Sequence, residues 1–167
     1  MRFMCLIFLS ISILSSSVFG FGKNKVQYQK SDWKMIQSIH FDIYFTADAL
    51  PLAEHSADQI ENMYQDVSAL LGHQLSTRVP IIIHRSHQHF VETNVIRMAL
   101  PEAVGGFTEV FKNRIVLPFN GSWNEFDHVL KHELVHALMF DQFSGQGGGV
   151  SLAQRMAHIP LWFKEGL

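Results

Sequence analysis

Residues 122–141 read SWNEFDHVLKHELVHALMFD, and the apolar positions of this stretch predict a single helix. They recur at helical spacing and would form one buried face, made of Phe126, Val129, Leu130, Ala137, Leu138 and Phe140. Ser122 is a suitable N-cap, and Glu125 three residues later completes a capping-box pattern. Gly145 and the glycine run at 147–149 lie beyond the expected end. We therefore expect a helix over about residues 122–141.

The second half of this helix carries the pattern H-E-x-x-H, formed by His132, Glu133 and His136. Histidines at i and i+4 lie one turn apart on the same face, so both imidazoles can reach one metal ion. Glu133, beside them, can act as a general base on a metal-bound water. The alternative is an amphipathic helix with two ordinary histidines, in a chain that contains 10 of them. Histidines on a core-packed helix need polar partners, which favours a bound metal, zinc.

A catalytic zinc ion usually takes three protein ligands and keeps one position for water. The metzincin pattern places its third ligand in the extension H-x-x-G-x-x-H, but the residues after His136 are ALMFDQ. The alternative is a glutamate from a second, downstream helix. Residues 160–167, PLWFKEGL, offer Glu165 for this role.

The two segments HELVHALMFDQF and PLWFKEGL, in this order, resemble the gluzincin branch of zinc peptidases. The resemblance extends from about residue 38 to residue 167. It is strongest to the peptidase MA-like domain found at the N-terminus of exported proteins that often carry TolB-like propeller repeats. It implies that His132, His136 and Glu165 bind Zn²⁺ and that Glu133 is catalytic. Glu165 is assigned because Trp162, Glu165 and Gly166 match the family's W-x-x-E-G segment, whose glutamate is the third ligand.

The resemblance implies an exported zinc metallopeptidase that hydrolyses peptide bonds in a peptide or protein substrate. The chain ends two residues after Glu165, so we expect a domain truncated at its C-terminal end, with a propeller domain missing from this chain. The alternative function is a catalytically silent zinc-binding module of a cell-envelope protein, with a role in binding or assembly.

Residues 1–20 have the pattern of a cleaved signal peptide, with Arg2 before an apolar run and small residues at the cleavage site. A membrane anchor is the alternative, but the run is shorter than a span needs and contains serines. We therefore expect export to the periplasm or medium and no stable membrane span after cleavage. The only cysteine, Cys5, lies in this segment, which leaves His and carboxylate as zinc ligands. The mature chain is acidic, with a net charge of about −3, so nucleic-acid binding is not expected.

The remaining pattern predicts an α+β domain over residues 38–167, preceded by an extended segment at 21–37. A mixed sheet covered by helices, together with the H-E-x-x-H helix, corresponds to the N-terminal half of a zincin-like fold. The expected elements follow the order β-α-β-α-β-β-α: strand 39–45, helix 51–71 ended by Gly72, strand 79–84, a short helix at 87–96, strands 106–110 and 114–118 joined by a turn in which Asn113 takes positive φ, and helix 122–141.

Several other polar residues are weaker candidates for function. The resemblance implies that the last strands before the zinc helix form an edge and the upper wall of the cleft. Residues 105–118 are therefore expected to contact substrate, since an exposed edge can accept an extended peptide; an ordinary hairpin is the alternative. His84, His87 and His89 are expected on a solvated face more than in a second metal site. His128 is expected to pack near the start of its helix beside Asp127. The resemblance to gluzincins makes His158 a minor candidate for a transition-state donor. Asp141 is expected to make a loop contact rather than a metal bond.

Overall fold

The structure of the protein is a computed structural model, which describes residues 32–91, 105–110, 112–144, 154 and 159–160. Its elements occur in the following order: β1 (Trp33–Gln37), β2 (Phe41–Thr46), a short 3-10 turn (Ala47–Ala49), α1 (Leu50–Leu71), β3 (Val79–His84), α2 (His87–Val91), β4 (Phe107–Glu109), β5 (Arg114–Pro118) and α3 (Trp123–Ser144). The predicted α+β class is confirmed.

Within the described residues, five strands form one mixed sheet in the order β1-β2-β3-β5-β4. The two central pairings, β2 with β3 and β3 with β5, are parallel. Both outer pairings, β1 with β2 and β4 with β5, are antiparallel. The strand predicted at 79–84 is central, as its apolar composition indicated. Strand β4 lies at one edge of this sheet.

One face of the sheet carries the core. Alternate residues of the three central strands point to this face and are almost completely buried: Phe41, Ile43, Phe45, Val79, Ile81, Ile83, Ile115 and Leu117. They pack in one cluster with the apolar residues of α1 and α3. This burial supplies most of the driving force for folding and fixes α3 across the sheet.

Helix α1 begins and ends where the sequence predicts. Pro51 occupies its first turn, where the missing N–H of proline costs no hydrogen bond. At the other end Gly72 takes a left-handed conformation, with φ of 61°, and its N–H donates to the carbonyl of Ser68. The side chain of Ser56, buried inside α1, donates to the carbonyl of Leu52. Without these local hydrogen bonds, the polar groups would be buried by packing and left without a partner.

The start of α3 differs from a reciprocal capping box. Ser122 is the N-cap, because its Oγ accepts from the N–H of Glu125 at 3.4 Å. The carboxylate of Glu125, however, accepts from the side-chain amide of Asn120, and the N–H of Ser122 donates to Asn120 Oδ1 at 3.0 Å. Asn120 therefore joins the two halves of the cap. The helix also continues beyond the predicted end at residue 141, to Ser144.

Two further differences concern short elements. Trp33–Gln37, which lies in the segment predicted to be merely extended, pairs with β2 as a strand. The expected helix at 87–96 is described only as His87–Val91, and residues 92–96 lie outside the described part of the chain. Asn113 has φ of 44°, as predicted for the turn before β5. Among the described helices, none combines the length and the apolar character needed to cross a bilayer.

Candidate metal centre

Helix α3 has two stripes of residues with different environments. The stripe in the core is apolar and fully buried, and consists of Phe126, Leu130, Leu134, Ala137 and Leu138. The second stripe repeats every four residues and lines a cleft; its members are His128, His132, His136 and Phe140. The i+4 spacing of the second stripe places these four side chains above one another on one helical face.

The rings of His132 and His136 converge. Their Nε2 atoms lie 3.1 Å apart, and the rings meet edge to face with centroids 4.6 Å apart. Two nitrogens bound to one tetrahedral zinc at 2.0–2.1 Å are separated by about 3.3 Å. The two imidazoles therefore have nearly the spacing that a shared zinc ion requires. Imidazole nitrogens are also among the donor atoms that zinc binds in proteins.

Glu133 lies between these histidines along the chain and is buried, with 6% of its surface exposed. Its carboxylate contacts the hydroxyl of Thr108 on β4, with Oε2 2.7 Å from Thr108 Oγ1. The same hydroxyl lies 3.0 Å from the backbone oxygen of Glu133. A hydroxyl can both donate and accept, so this contact suits either protonation state of the carboxyl group.

The cleft between β4 and α3 has a volume of about 560 Å³. Residues 105–108 form one wall, and the cleft-facing stripe of α3 together with Val129 and Glu133 forms the other. Strand β4 is at the edge of the sheet that the described residues form, so its outer backbone groups have no neighbouring strand within that sheet. The cleft therefore brings together a candidate metal site, a carboxylate and a strand edge. The segment 105–118 stays a predicted substrate contact.

Glycine permits the close approach of β4 to α3. A Cβ added to Gly106 would lie 2.6 Å from Leu117 Cδ2, 3.0 Å from Val129 Cγ1 and 3.2 Å from the backbone oxygen of Val116. A side chain at this position would require the end of Leu117 to shift, and Val129 and the backbone of Val116 to give by a few tenths of an ångström. Gly105 is also close to Val129, at 3.0 Å for its Cγ2 atom. These glycines thus set the width of the cleft.

His128 and Phe140 occupy the two ends of the cleft-facing stripe. His128 is exposed and lines the cleft, rather than packing at the helix start as expected. Asp127, which was expected to lie beside His128, contacts His55 of α1 instead: Asp127 Oδ1 lies 2.6 Å from His55 Nε2. Phe140 stacks on His136, with ring centroids 6.0 Å apart and an angle of 18° between the planes. This stacking restricts the rotation of the His136 ring.

The third ligand that the sequence predicts, Glu165, lies outside the described residues, as does His158. Within the described ranges, no group of three or more His, Cys, Asp or Glu side chains is arranged to hold a metal ion. The described part of the site therefore consists of two converging histidines and the adjacent glutamate.

Asp141, near the end of α3, makes the predicted loop contact. Its carboxylate is buried and accepts from Ser76 Oγ at 2.6 Å, from Ser76 N at 3.0 Å and from His73 Nε2 at 2.8 Å. The sequence did not identify His73 and Ser76 as its partners. Only the glycine at 72, which ends α1 and begins the loop, indicated where that loop lies. The three bonds hold α3 against the loop after α1.

The cluster of His84, His87 and His89 differs from the predicted solvated face. His84 is buried at 6% exposure, between the edges of the Trp33 and Phe90 rings. Burial, together with the smaller effect of the nearby charge of His89, lowers the pKa of His84 to about 4. Within the part of the chain that the structure describes, the Nε2 atoms of His84 and His87 are buried and have no hydrogen-bond partner. His84 is therefore a neutral core residue.

Comparisons of this chain with models of protein families, with curated proteins and with solved structures found no match.

Proposed function

We propose that this chain is an exported zinc-dependent metallopeptidase of the gluzincin type. The observation that supports this most directly is the 3.1 Å separation of His132 Nε2 and His136 Nε2 inside a cleft that also contains Glu133. The mixed sheet, with an antiparallel edge strand beside the H-E-x-x-H helix, agrees with a zincin-like N-terminal half. Glu165 is proposed as the third ligand from the sequence.

Zinc in this site would lower the pKa of a bound water to about 7 and polarise the scissile carbonyl. The role of Glu133 is to take a proton from the attacking water and then to deliver it to the leaving amine. Burial in the cleft, together with the hydrogen bond from Thr108, keeps its carboxylate beside the two histidines.

A peptide is the proposed substrate because the cleft is bounded by a strand edge. The outer N–H and C=O groups of β4 can pair with an extended chain, which is how peptides commonly add to an exposed sheet edge. Such a peptide would lie along the cleft-facing stripe of α3. Its backbone would then pass the site formed by His132, Glu133 and His136.

The first experiment measures the zinc content of the purified full chain and its variants. We expect wild-type protein and Glu133→Gln to bind one zinc ion, and His132→Ala and His136→Ala to lose it. His128→Ala is the matched control, because His128 lies on the same stripe but is not a proposed ligand, and it should retain zinc. Loss of zinc affinity in Glu165→Gln would support the third ligand. Wild-type protein that binds no zinc at all contradicts the proposal.

The second experiment measures hydrolysis of a peptide library by the zinc-loaded chain, with and without a chelator. We expect cleavage by the wild-type chain, loss of cleavage with the chelator, and loss in Glu133→Gln despite bound zinc. Zinc binding without hydrolysis would favour the alternative, a catalytically silent zinc-binding module.

A further inference from the structure

Thr108 is the middle residue of β4, and its hydroxyl contacts the proposed general base. It pairs with Ile115, a buried residue on the face of the sheet that α1 and α3 cover. Directly opposed residues of an antiparallel pair point to the same face, so the side chain of Thr108 points towards α3. Its Oγ1 lies 2.7 Å from Oε2 and 3.0 Å from the backbone oxygen of Glu133. One hydroxyl therefore contacts the base at both its carboxylate and its backbone.

The orientation of Glu133 matters because a glutamate side chain has several rotatable bonds. A general base works only when its oxygen lies within hydrogen-bond reach of the proton that it takes. A displacement of about 1 Å can lower a rate by roughly a hundredfold. Helix α3 fixes the Cα of Glu133, but the helix alone does not select the carboxylate rotamer. A second contact from outside the helix is needed for that.

We propose that Thr108 is a positioning residue that holds the Glu133 carboxylate in its productive orientation. The inference rests on the proposed function, since it assigns Thr108 a role in that same site. Thr108 contacts the base, whereas the two histidines are the proposed metal ligands, so its removal should leave zinc binding intact. It belongs to the edge strand that would bind the peptide backbone. The hydroxyl thereby links the base to the strand that would bind the peptide.

The alternative is a purely structural role, in which Thr108 only ties β4 to α3. If that were its role, removal of the hydroxyl would lower the stability of the protein, and any substitution that restores stability would also restore kcat. A positioning role predicts a different result: kcat depends on a hydroxyl at this position, and KM and zinc content do not. Serine keeps the hydroxyl and valine keeps the shape, so these two substitutions test whether kcat depends on the hydroxyl, and a cycle with Glu133→Ala isolates its contact with the carboxylate.

The kinetic test compares Thr108→Val and Thr108→Ser in the zinc-loaded full chain. We expect Thr108→Val to lower kcat about 10- to 100-fold, with KM and zinc stoichiometry unchanged, and Thr108→Ser to stay within about threefold of wild type. Thr46→Val is the matched control, because its hydroxyl also contacts a carboxylate, that of Asp48, outside the cleft. Wild-type kcat in Thr108→Val, or an equal loss in Thr108→Ser, overturns the inference.

A second test needs no activity and uses the metal-free chain. The equilibrium constant for unfolding is measured for wild type, Thr108→Val, Glu133→Ala and the double variant. If the hydroxyl and the carboxylate interact, Thr108→Val changes the unfolding constant by a smaller factor in the Glu133→Ala background than in wild type. We expect the two factors to differ at least about threefold. Equal changes in both backgrounds overturn the inference. If the zinc-loaded wild-type chain hydrolyses no peptide, the proposed function fails, and this cycle alone decides whether Thr108 holds Glu133.

Discussion

The carboxylate of Asp141 lies 2.8 Å from Nε2 of His73, 68 positions earlier in the chain. Asp141 belongs to the helix that carries the candidate metal site, and His73 belongs to the loop that follows α1. The bonds from Ser76 to the same carboxylate strengthen this connection. The position of the metal-site helix therefore depends on a polar anchor as well as on the apolar core.

Asp141→Asn should destabilise the protein by about 2–3 kcal/mol, because an amide has one acceptor oxygen and places N–H donors opposite donors. Urea unfolding at neutral pH measures this change. Asp66→Asn is the control: the side chain of Asp66 is 74% exposed and lies 3.7 Å from Lys131, so its loss should cost less than about 0.5 kcal/mol. Equal effects of the two substitutions would show that the hydrogen bonds of Asp141 contribute no more to the free energy of unfolding than an exposed ion pair does.

Gly106→Ala should destabilise the protein by about 1–3 kcal/mol, because the new methyl group overlaps Leu117, Val129 and the backbone of Val116. It should also move β4 away from α3 and weaken the contact between Thr108 and Glu133. Gly105→Ala is the control, with a smaller expected cost, since its methyl group would come no closer than 3.0 Å to the Val129 side chain and would meet no backbone atom within 4 Å. Thermal unfolding of both variants measures the difference, and a larger loss at position 105 would contradict this account.

His84 should make the protein less stable as the pH falls from 6.5 to about 4. The unfolded chain protonates His84 near its ordinary pKa of 6.5, whereas burial keeps the folded form neutral down to a pKa of about 4. The unfolded state therefore binds more protons in this window, and the difference amounts to about 3 kcal/mol. Above pH 6.5 this part of the stability is fully present.

The measurement for His84 is urea unfolding at pH 7 and pH 4.5. His84→Phe, which cannot titrate, should lose markedly less stability between these values than wild type does. His89→Gln is the control, since its side chain is exposed and its removal should leave most of the pH dependence in place. Identical pH dependence in wild type and His84→Phe would rule out the buried imidazole as its source.

Zinc should stabilise the folded chain, because the unfolded chain does not hold His132 and His136 at a metal-binding distance. At a free zinc concentration 100 times the dissociation constant, the gain is about 2.7 kcal/mol. Thermal unfolding with zinc, and again with excess chelator, measures the shift. His132→Ala should show no shift and His128→Ala the full shift. A wild-type Tm that does not change when zinc is added would contradict a zinc site at His132 and His136.

The sequence predicted those parts of the fold that depend on local pattern. The bounds of β3 and β5, the Pro51 and Gly72 ends of α1 and the positive φ of Asn113 all follow from residue types in a short window. Strand β1 was not recognised, because Trp33–Gln37 is a mostly exposed edge segment that lacks strong alternation. Its pairing with β2 depends on a tertiary neighbour.

The same limit applies to the candidate site. The H-E-x-x-H spacing predicted the approach of His132 and His136, since both lie on one helix. It did not predict the contact of Thr108 with Glu133, because strand and helix meet there through sheet pairing and through the space left by Gly106. The burial of His84 was also missed, since its aromatic neighbours Trp33 and Phe90 come from separate elements.

The parallel pairings at the centre of the sheet have a consequence for the rate of folding. A hairpin can form between neighbouring strands, but β2 can join β3, and β3 can join β5, only after the intervening chain has crossed the sheet. The entropy of closing these loops must be met before the central backbone bonds form. We therefore expect refolding in milliseconds or slower, and a microsecond phase with full amplitude in rapid-mixing experiments would contradict this expectation.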